Sequence, residues 1–279
     1  SQRATLVPGS TVKTTVVEVA FLLQDPQTGF RQLMLSTNNG LERGFPVSTS
    51  NEVGAPSWRP GWDQFAYCEY ESLLCVLKIY DISDHYSKTI LDDGLFNWLP
   101  VWSSDGMYIV LSTVDDINDD GEHARFRRIT LSSGAIEEIP GNTAIDYQRA
   151  KYGRTASELF ATIKNGPTFE IWRLDLDHFT DSRVSVDGEP YGFSLSDDQR
   201  WVAYDSGGGA LYIESMGALG VNVREIASGV MGYGWIPGRD QLVYAVRHGN
   251  GSRLFATSLP GGELSYLFDI EDWLVISLN

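Results

Sequence analysis

The chain has no apolar run near the ~18–20 residues that a membrane-spanning helix needs, and no segment keeps a 3.6-residue apolar period between helix caps. Helix is therefore expected to be nearly absent. No G-x-S-x-G elbow occurs, which excludes the usual serine hydrolase arrangement from these residues. The opening SQRATLVPGSTVK shows no signal-peptide or lipidation pattern and reads as a polar tether over residues 1–14. Positive charge is scarce: 21 Lys and Arg stand against 37 Asp and Glu, a net charge of −16. Such a surface repels phosphate backbones and anionic headgroups, so nucleic acid is not an expected partner. Cysteine is limited to Cys68 and Cys75. If QFAYCEY and LCVLKIY form a hairpin turning near Glu71-Ser72, the two lie opposite each other. A cross-strand disulfide and a pair of reduced thiols are then the two readings.

What is present is a repeat. An aromatic residue, a turn of Ser, Pro, Asp and Gly, and a strand recur as PSWRPGWDQFAY (56–67), PVWSSDGMYIVL (100–111), SLSDDQRWVAY (194–204) and GWIPGRDQLVY (234–244), and more faintly as KYGRTASELFA (151–161). Aligning Ala20, Ala66, Val110, Phe160, Ala203 and Val243 gives steps of 46, 44, 50, 43 and 40 residues. Eight residues before the last five stand Trp58, Trp102, Tyr152, Leu195 and Trp235. An offset that stays constant while the repeat length varies means a fixed hairpin with variable loops elsewhere. A third strand follows (VLKIYDI, FRRITLS, EIWRLDL) and then a fourth (AIEEIP, ELSYLF). Four short strands per repeat of this length are the signature of a propeller blade. The fold expected is all-β: a six-bladed β-propeller of four-stranded antiparallel blades over residues 15–279. The strand DWLVISLN, near Trp273–Leu278, would complete blade one and close the ring.

PSWRPGWDQFAY and PVWSSDGMYIVL resemble the P-x-W-S-P-D-G-x-x-I-A-F repeat of TolB-type propellers, and VLKIYDI and EIWRLDL resemble that family's following I-Y-x-x-D strand. The resemblance spans nearly the whole chain after about residue 15. Leu195 departs from it in place of an aromatic, Tyr152 is followed by GRTAS, and the lone Trp62-Asp63 pair falls in a turn. The resemblance implies a bacterial protein acting outside the cytoplasm as a binding module, or a propeller of the kind attached to hydrolases.

One acidic loop carries candidate metal ligands. In VDDINDDGEHAR (114–125), Asp116, Asn118 and Asp120 precede Gly121 in the D-x-N-x-D-G order of a calcium loop, with Glu122 as a further donor. Ala124 and Arg127 occupy the ninth and twelfth positions, so the second half is missing, and a solvated acidic loop is the alternative. Calcium is the only cofactor that the residues suggest. His85 and His178 fall in third-to-fourth-strand turns and His123 and His248 in second-to-third-strand turns, at opposite ends of the blades, which argues against a histidine-rich metal centre. SGGGA (206–210) follows a strand and opens no helix, so it reads as a turn.

The leading expectation is a non-enzymatic, extracytoplasmic module whose loop face or channel receives a protein or peptide, within a multi-subunit envelope or cell-surface assembly. A carbohydrate- or peptide-acting enzyme with its site at the central channel is the first alternative. Carboxylates, Arg and Tyr converging on the axis would favour it, and a channel plugged by apolar side chains would not. A calcium-stabilised structural or adhesive protein is the second alternative.

Overall fold

The computed structural model describes residues 19–37, 42–48, 52–61, 63–114, 124–140, 146–165, 168–184, 190–216, 223–236, 241–259, 264–270 and 274–278. It is an all-β propeller of four-stranded antiparallel blades. No helix occurs among the described residues, so none is long and apolar enough to cross a membrane.

The strands fall into six hydrogen-bonded sheets. The first contains β1 (Val19–Gln24), β2 (Arg31–Thr37) and β3 (Glu42–Pro46). The second holds β4 (Ser57–Trp58), β5 (Gln64–Glu71), β6 (Leu74–Asp81) and β7 (Tyr86–Leu91). The third is β8 (Phe96–Trp102), β9 (Tyr108–Val114), β10 (Arg125–Thr130) and β11 (Ile136–Glu138). The fourth is β12 (Asp146–Tyr152), β13 (Glu158–Asn165), β14 (Thr168–Asp175) and β15 (Thr180–Val184). The fifth is β16 (Gly192–Leu195), β17 (Trp201–Asp205), β18 (Leu211–Ser215) and β19 (Arg224–Ala227). The sixth is β20 (Val230–Ile236), β21 (Gln241–His248), β22 (Gly251–Ser258) and β23 (Leu264–Ile270). The last strand, β24 (Leu274–Leu278), returns to the edge of β1, pairing Leu278 with Phe21 and Leu274 with Gln24. Trp273 lies outside the described residues.

The constant eight-residue offset has a direct structural cause. In each of five hairpins the marked residue pairs with the residue seven positions on: Trp58 with Phe65, Trp102 with Ile109, Tyr152 with Leu159, Leu195 with Val202 and Trp235 with Leu242. In two of these turns the same side chains set the register. Ser103 and Ser196 hydroxyls donate to Asp105 and Asp198, and each serine oxygen accepts the N–H of the residue that opens the next strand. GRTAS reaches the same register differently, with Glu158 accepting the Arg154 N–H and the Gly153 N–H bonding the Glu158 carbonyl.

The core lies between sheets. One buried cluster joins Ala20, Leu22, Leu33 and Leu35 of the first sheet to Trp58, Phe65, Tyr67 and Tyr80 of the second. Equivalent clusters join the second sheet to the third, and so on to the sixth. A further cluster packs Ala245 and Leu254 of the sixth sheet on Leu23 and Met34 of the first. Phe65 shows the packing at its densest: it is fully buried, with the Trp58 ring edge-on and the Tyr80 ring stacked, both at 5.1 Å. Truncating it to alanine costs about 3–5 kcal/mol.

The cysteine hairpin differs from the expected one. Its turn is Ser72-Leu73, one residue later than Glu71-Ser72, and the cysteines are staggered: Cys68 faces Leu77 and Cys75 faces Tyr70. They are nevertheless disulfide-bonded, with Cα atoms 5.3 Å apart. Ser72 and Leu73 both take positive φ (52° and 75°), which side chains disfavour, so the covalent link holds closed a hairpin whose turn residues resist it.

Candidate functional site

In a four-stranded antiparallel meander, the first-to-second and third-to-fourth turns share one end of the sheet. The second-to-third turn and the connection to the next blade share the other. First strands of successive sheets touch in turn from the second to the sixth, and β20 touches β24, so the residues that they project face a shared channel. Three adjoining cavities of 390, 310 and 480 Å³ occupy it, running from the second-to-third-turn face to the opposite face. The first two share Ala55, Leu99, Arg149 and Tyr191, and the last two share Val101, Lys151 and Ser194.

The repeat determines what reaches the channel. Three residues before the marked aromatic stand Ala55, Leu99, Arg149, Gly192 and Gly232; one residue before it stand Ser57, Val101, Lys151, Ser194 and Gly234. Four blades thus offer small or apolar groups where β12 offers two cations. Arg149 and Lys151 are two apart on one strand and therefore share a face. β-bulges re-aim the lining at one level: at Leu99-Pro100 in β8, between Tyr147 and Arg149 in β12, and at Met231 in β20. Leu99 sits there at a φ of 51°.

Around Arg149 the groups are held in place. Its guanidinium lies 5.3 Å from the centre of the Tyr191 ring, a cation–π contact, and Tyr191 meets Phe169 edge-on at 5.4 Å. The Tyr233 hydroxyl donates to Asp205 Oδ2 (2.9 Å), whose Oδ1 accepts the Gly207 N–H (3.1 Å). Gly192 leaves no room for a side chain while these groups keep their places: a Cβ there would stand 2.7 Å from Asp205 Oδ2, 3.2 Å from Arg149 Nη1 and 3.3 Å from the Tyr233 hydroxyl. Burial first, and then the Asp205 charge, hold the Tyr233 phenol well above 10. Lys151 is half-buried at the channel wall, and burial, followed by the Arg149 charge, pushes its amine down to about 8. At neutral pH it remains largely protonated.

The channel reverses the sign of the whole protein. Among the described residues, its lining carries five cations (Arg31, Arg59, Arg149, Lys151, Arg154) and two carboxylates, Asp197 and Asp205. Bulk charge, which argued against phosphate backbones and anionic headgroups, concealed this local excess. Of the converging groups that would mark an enzyme, Arg and Tyr are present, but the two carboxylates lie in different cavities. Among the described residues, the three cavities leave the lumen open.

Asp116, Asn118, Asp120 and Glu122 fall outside the described residues, as do His123, Trp62 and residues 1–14. His85 contacts the Tyr80 hydroxyl (3.1 Å), His178 contacts Asp175 (3.0 Å) and His248 contacts Arg253 (3.0 Å), each within its own blade. SGGGA is a turn, with Gly207 and Gly209 at positive φ, yet both glycines also line the middle cavity.

No family model matches the sequence. Among solved structures, the chain is similar to TolB from Acinetobacter baumannii, at 19% identity and a TM-score of 0.74, over 93% of this chain and 66% of that one. It is similar to the putative TolB from Agrobacterium tumefaciens at 16% identity and a TM-score of 0.62, over 92% and 90% of the two chains. An oligogalacturonate lyase from Vibrio parahaemolyticus matches at 10% identity and a TM-score of 0.55, over 88% and 97%. The chain thus spans just under two thirds of the Acinetobacter protein. Identities this low establish a shared fold and no shared activity.

Proposed function

We propose that the protein is an extracytoplasmic binding module whose channel mouth receives a protein or peptide, as one subunit of an envelope or cell-surface assembly. The observation that carries this reading is the mouth itself: an open cavity with a positioned guanidinium, and a tyrosine, Tyr191, that remains 49% exposed. Aromatic and Arg side chains are the groups that most often anchor protein partners. The disulfide and the likeness to TolB structures support a location outside the cytoplasm. The sheets are read as six blades of one ring, closed by β24. Its pairing with β1 and the cluster joining the sixth sheet to the first support that reading.

Photo-crosslinking separates the two faces. A crosslinker at Tyr191 captures the partner in the native host, whereas one at the exposed Tyr86, which opens the fourth strand of the second sheet beside its third-to-fourth turn, does not. Equal capture from both positions contradicts a channel-mouth site.

A second reading keeps the channel and makes it catalytic, favoured by the Lys151 amine at about 8. An amine tuned toward neutrality is a competent general base, and one structural neighbour is an oligogalacturonate lyase. It requires the purified chain to turn over an oligogalacturonate, with Lys151→Met inactive. No turnover removes it.

A further inference from the structure

We infer that the channel is selective for an acidic peptide segment, whose carboxylate sits between Arg149 and Lys151; this rests on the binding-module reading above. The first ground is charge complementarity. The two cavities nearest the second-to-third-turn face carry Arg31, Arg149 and Lys151 against Asp205 alone among the described residues, within a chain of net charge −16. A cleft lined by one sign between low-dielectric walls focuses its field, so an anion is attracted here while the outer surface repels it.

The second ground is order. Tyr191 holds the Arg149 guanidinium by its face, leaving the fork of N–H donors to meet a planar carboxylate. Asp205 is already engaged by Tyr233 and the Gly207 N–H. Gly192 and the glycines of the 206–210 turn keep the approach free of side chains.

The rest of the lining chooses between peptide and acidic sugar. Saccharide sites use several side-chain acceptors to bind hydroxyl pairs, and these two cavities have one side-chain carboxylate and no Asn or Gln among their described residues. They offer instead Leu99, Phe193, Val230 and Met231, walls suited to apolar side chains flanking an Asp or Glu. The seated carboxylate comes either from such a side chain or from a peptide C-terminus.

Two display libraries of random peptides of about eight residues test this, one with the random segment internal and one ending in a free C-terminus. Both are selected on the wild-type chain, Arg149→Gln and Arg149→Lys, each first shown to melt cooperatively. The expected result is enrichment of Asp and Glu on wild type and Arg149→Lys, lost on Arg149→Gln. Recovered binders should weaken roughly 10- to 100-fold on Arg149→Gln and weaken with added salt. Enrichment in both libraries assigns the seat to side chains; enrichment only with the free C-terminus assigns it to the terminal carboxylate. Binders without acidic enrichment, or enriched equally on Arg149→Gln, overturn the inference and leave the binding-module reading standing. If neither library yields binders but trigalacturonate raises the melting temperature of wild type and not of Arg149→Gln, the occupant is an acidic sugar and the peptide is overturned. If no probe binds, the binding-module reading falls as well.

Discussion

On the face made by first-to-second and third-to-fourth turns, carboxylates fold back on their own hairpins. Asp81 accepts from the Ser83 and Asp84 N–H groups and from Gln64, Asp175 from the Asp177 and His178 N–H groups, and Asp105 and Asp198 from their own turns. Arg154 on this side reaches across to the next sheet's turn and donates to the Asp198 carbonyl. Around the channel toward the other face, the polar groups come from different sheets: Arg149 from the fourth, Asp205 from the fifth, Tyr191 from the connection that leads into it, and Tyr233 from the sixth. Charge used within a turn stabilises the fold. Charge gathered from several blades around a cavity contributes little to folding and is free to serve a ligand.

That contrast gives graded predictions. Among substitutions near the channel, the largest effect on stability comes from the hairpin beside the mouth. Replacing Cys68 and Cys75 together by serine should cost about 2–3 kcal/mol, read in a denaturant melt. It should also weaken binding, because Tyr70, opposite Cys75, lines the mouth. Gly192→Ala comes next. Its Cβ forces apart Asp205, Arg149 and Tyr233, costing about 1–3 kcal/mol by overpacking and lowering peptide affinity at least about tenfold by displacing the guanidinium.

Lys151→Met separates folding from function. Removing a desolvated charge beside Arg149 should leave the melting temperature unchanged or raised while binding weakens. Its pH dependence has a definite sign. The folded amine titrates at about 8 and the unfolded one near 10.5, so between those values the unfolded chain holds more protons and stability rises with pH. Over the same rise the channel loses a cation, so affinity for an acidic peptide falls. Calorimetry and binding across pH 7–10.5 would read the two opposite slopes.

The smallest effect is local. Asp81→Ala should lower the melting temperature by a few degrees and leave binding unchanged. Hydrogen bonds from Ser83 and then Gln64 hold the Asp81 carboxyl down to about 2, from an ordinary 3.8. Its contribution is present above pH 3.8 and is lost as pH falls through about 2, so wild type and variant should converge in acid.

The hairpins were legible in the sequence because a tight turn fixes register, and a fixed register leaves a constant spacing between an aromatic and its partner strand. The disulfide was half legible: spacing placed Cys68 and Cys75 on neighbouring strands, but an unusual Ser-Leu turn, one residue later, shifted the pairing by two positions. The channel site was not read, since Arg149, Tyr191, Asp205 and Tyr233 come from four strands or connections with no shared spacing. A signal did exist. Arg149 and Lys151 stand at repeat positions that other blades fill with Gly, Ala, Ser, Val or Leu, and they do so in DYQRAKY, where the motif is faintest. The departure from the repeat marked the site, while net charge, which averages over the whole surface, hid it.

The most direct test measures Arg149→Gln and Asp81→Ala side by side, by thermal melt and by affinity for an acidic peptide recovered on wild type. The account predicts opposite losses: Arg149→Gln keeps its melting temperature and loses roughly 10- to 100-fold in affinity, while Asp81→Ala keeps its affinity and melts earlier. Variants that lose both properties together, or an Arg149→Gln that binds like wild type, would contradict it.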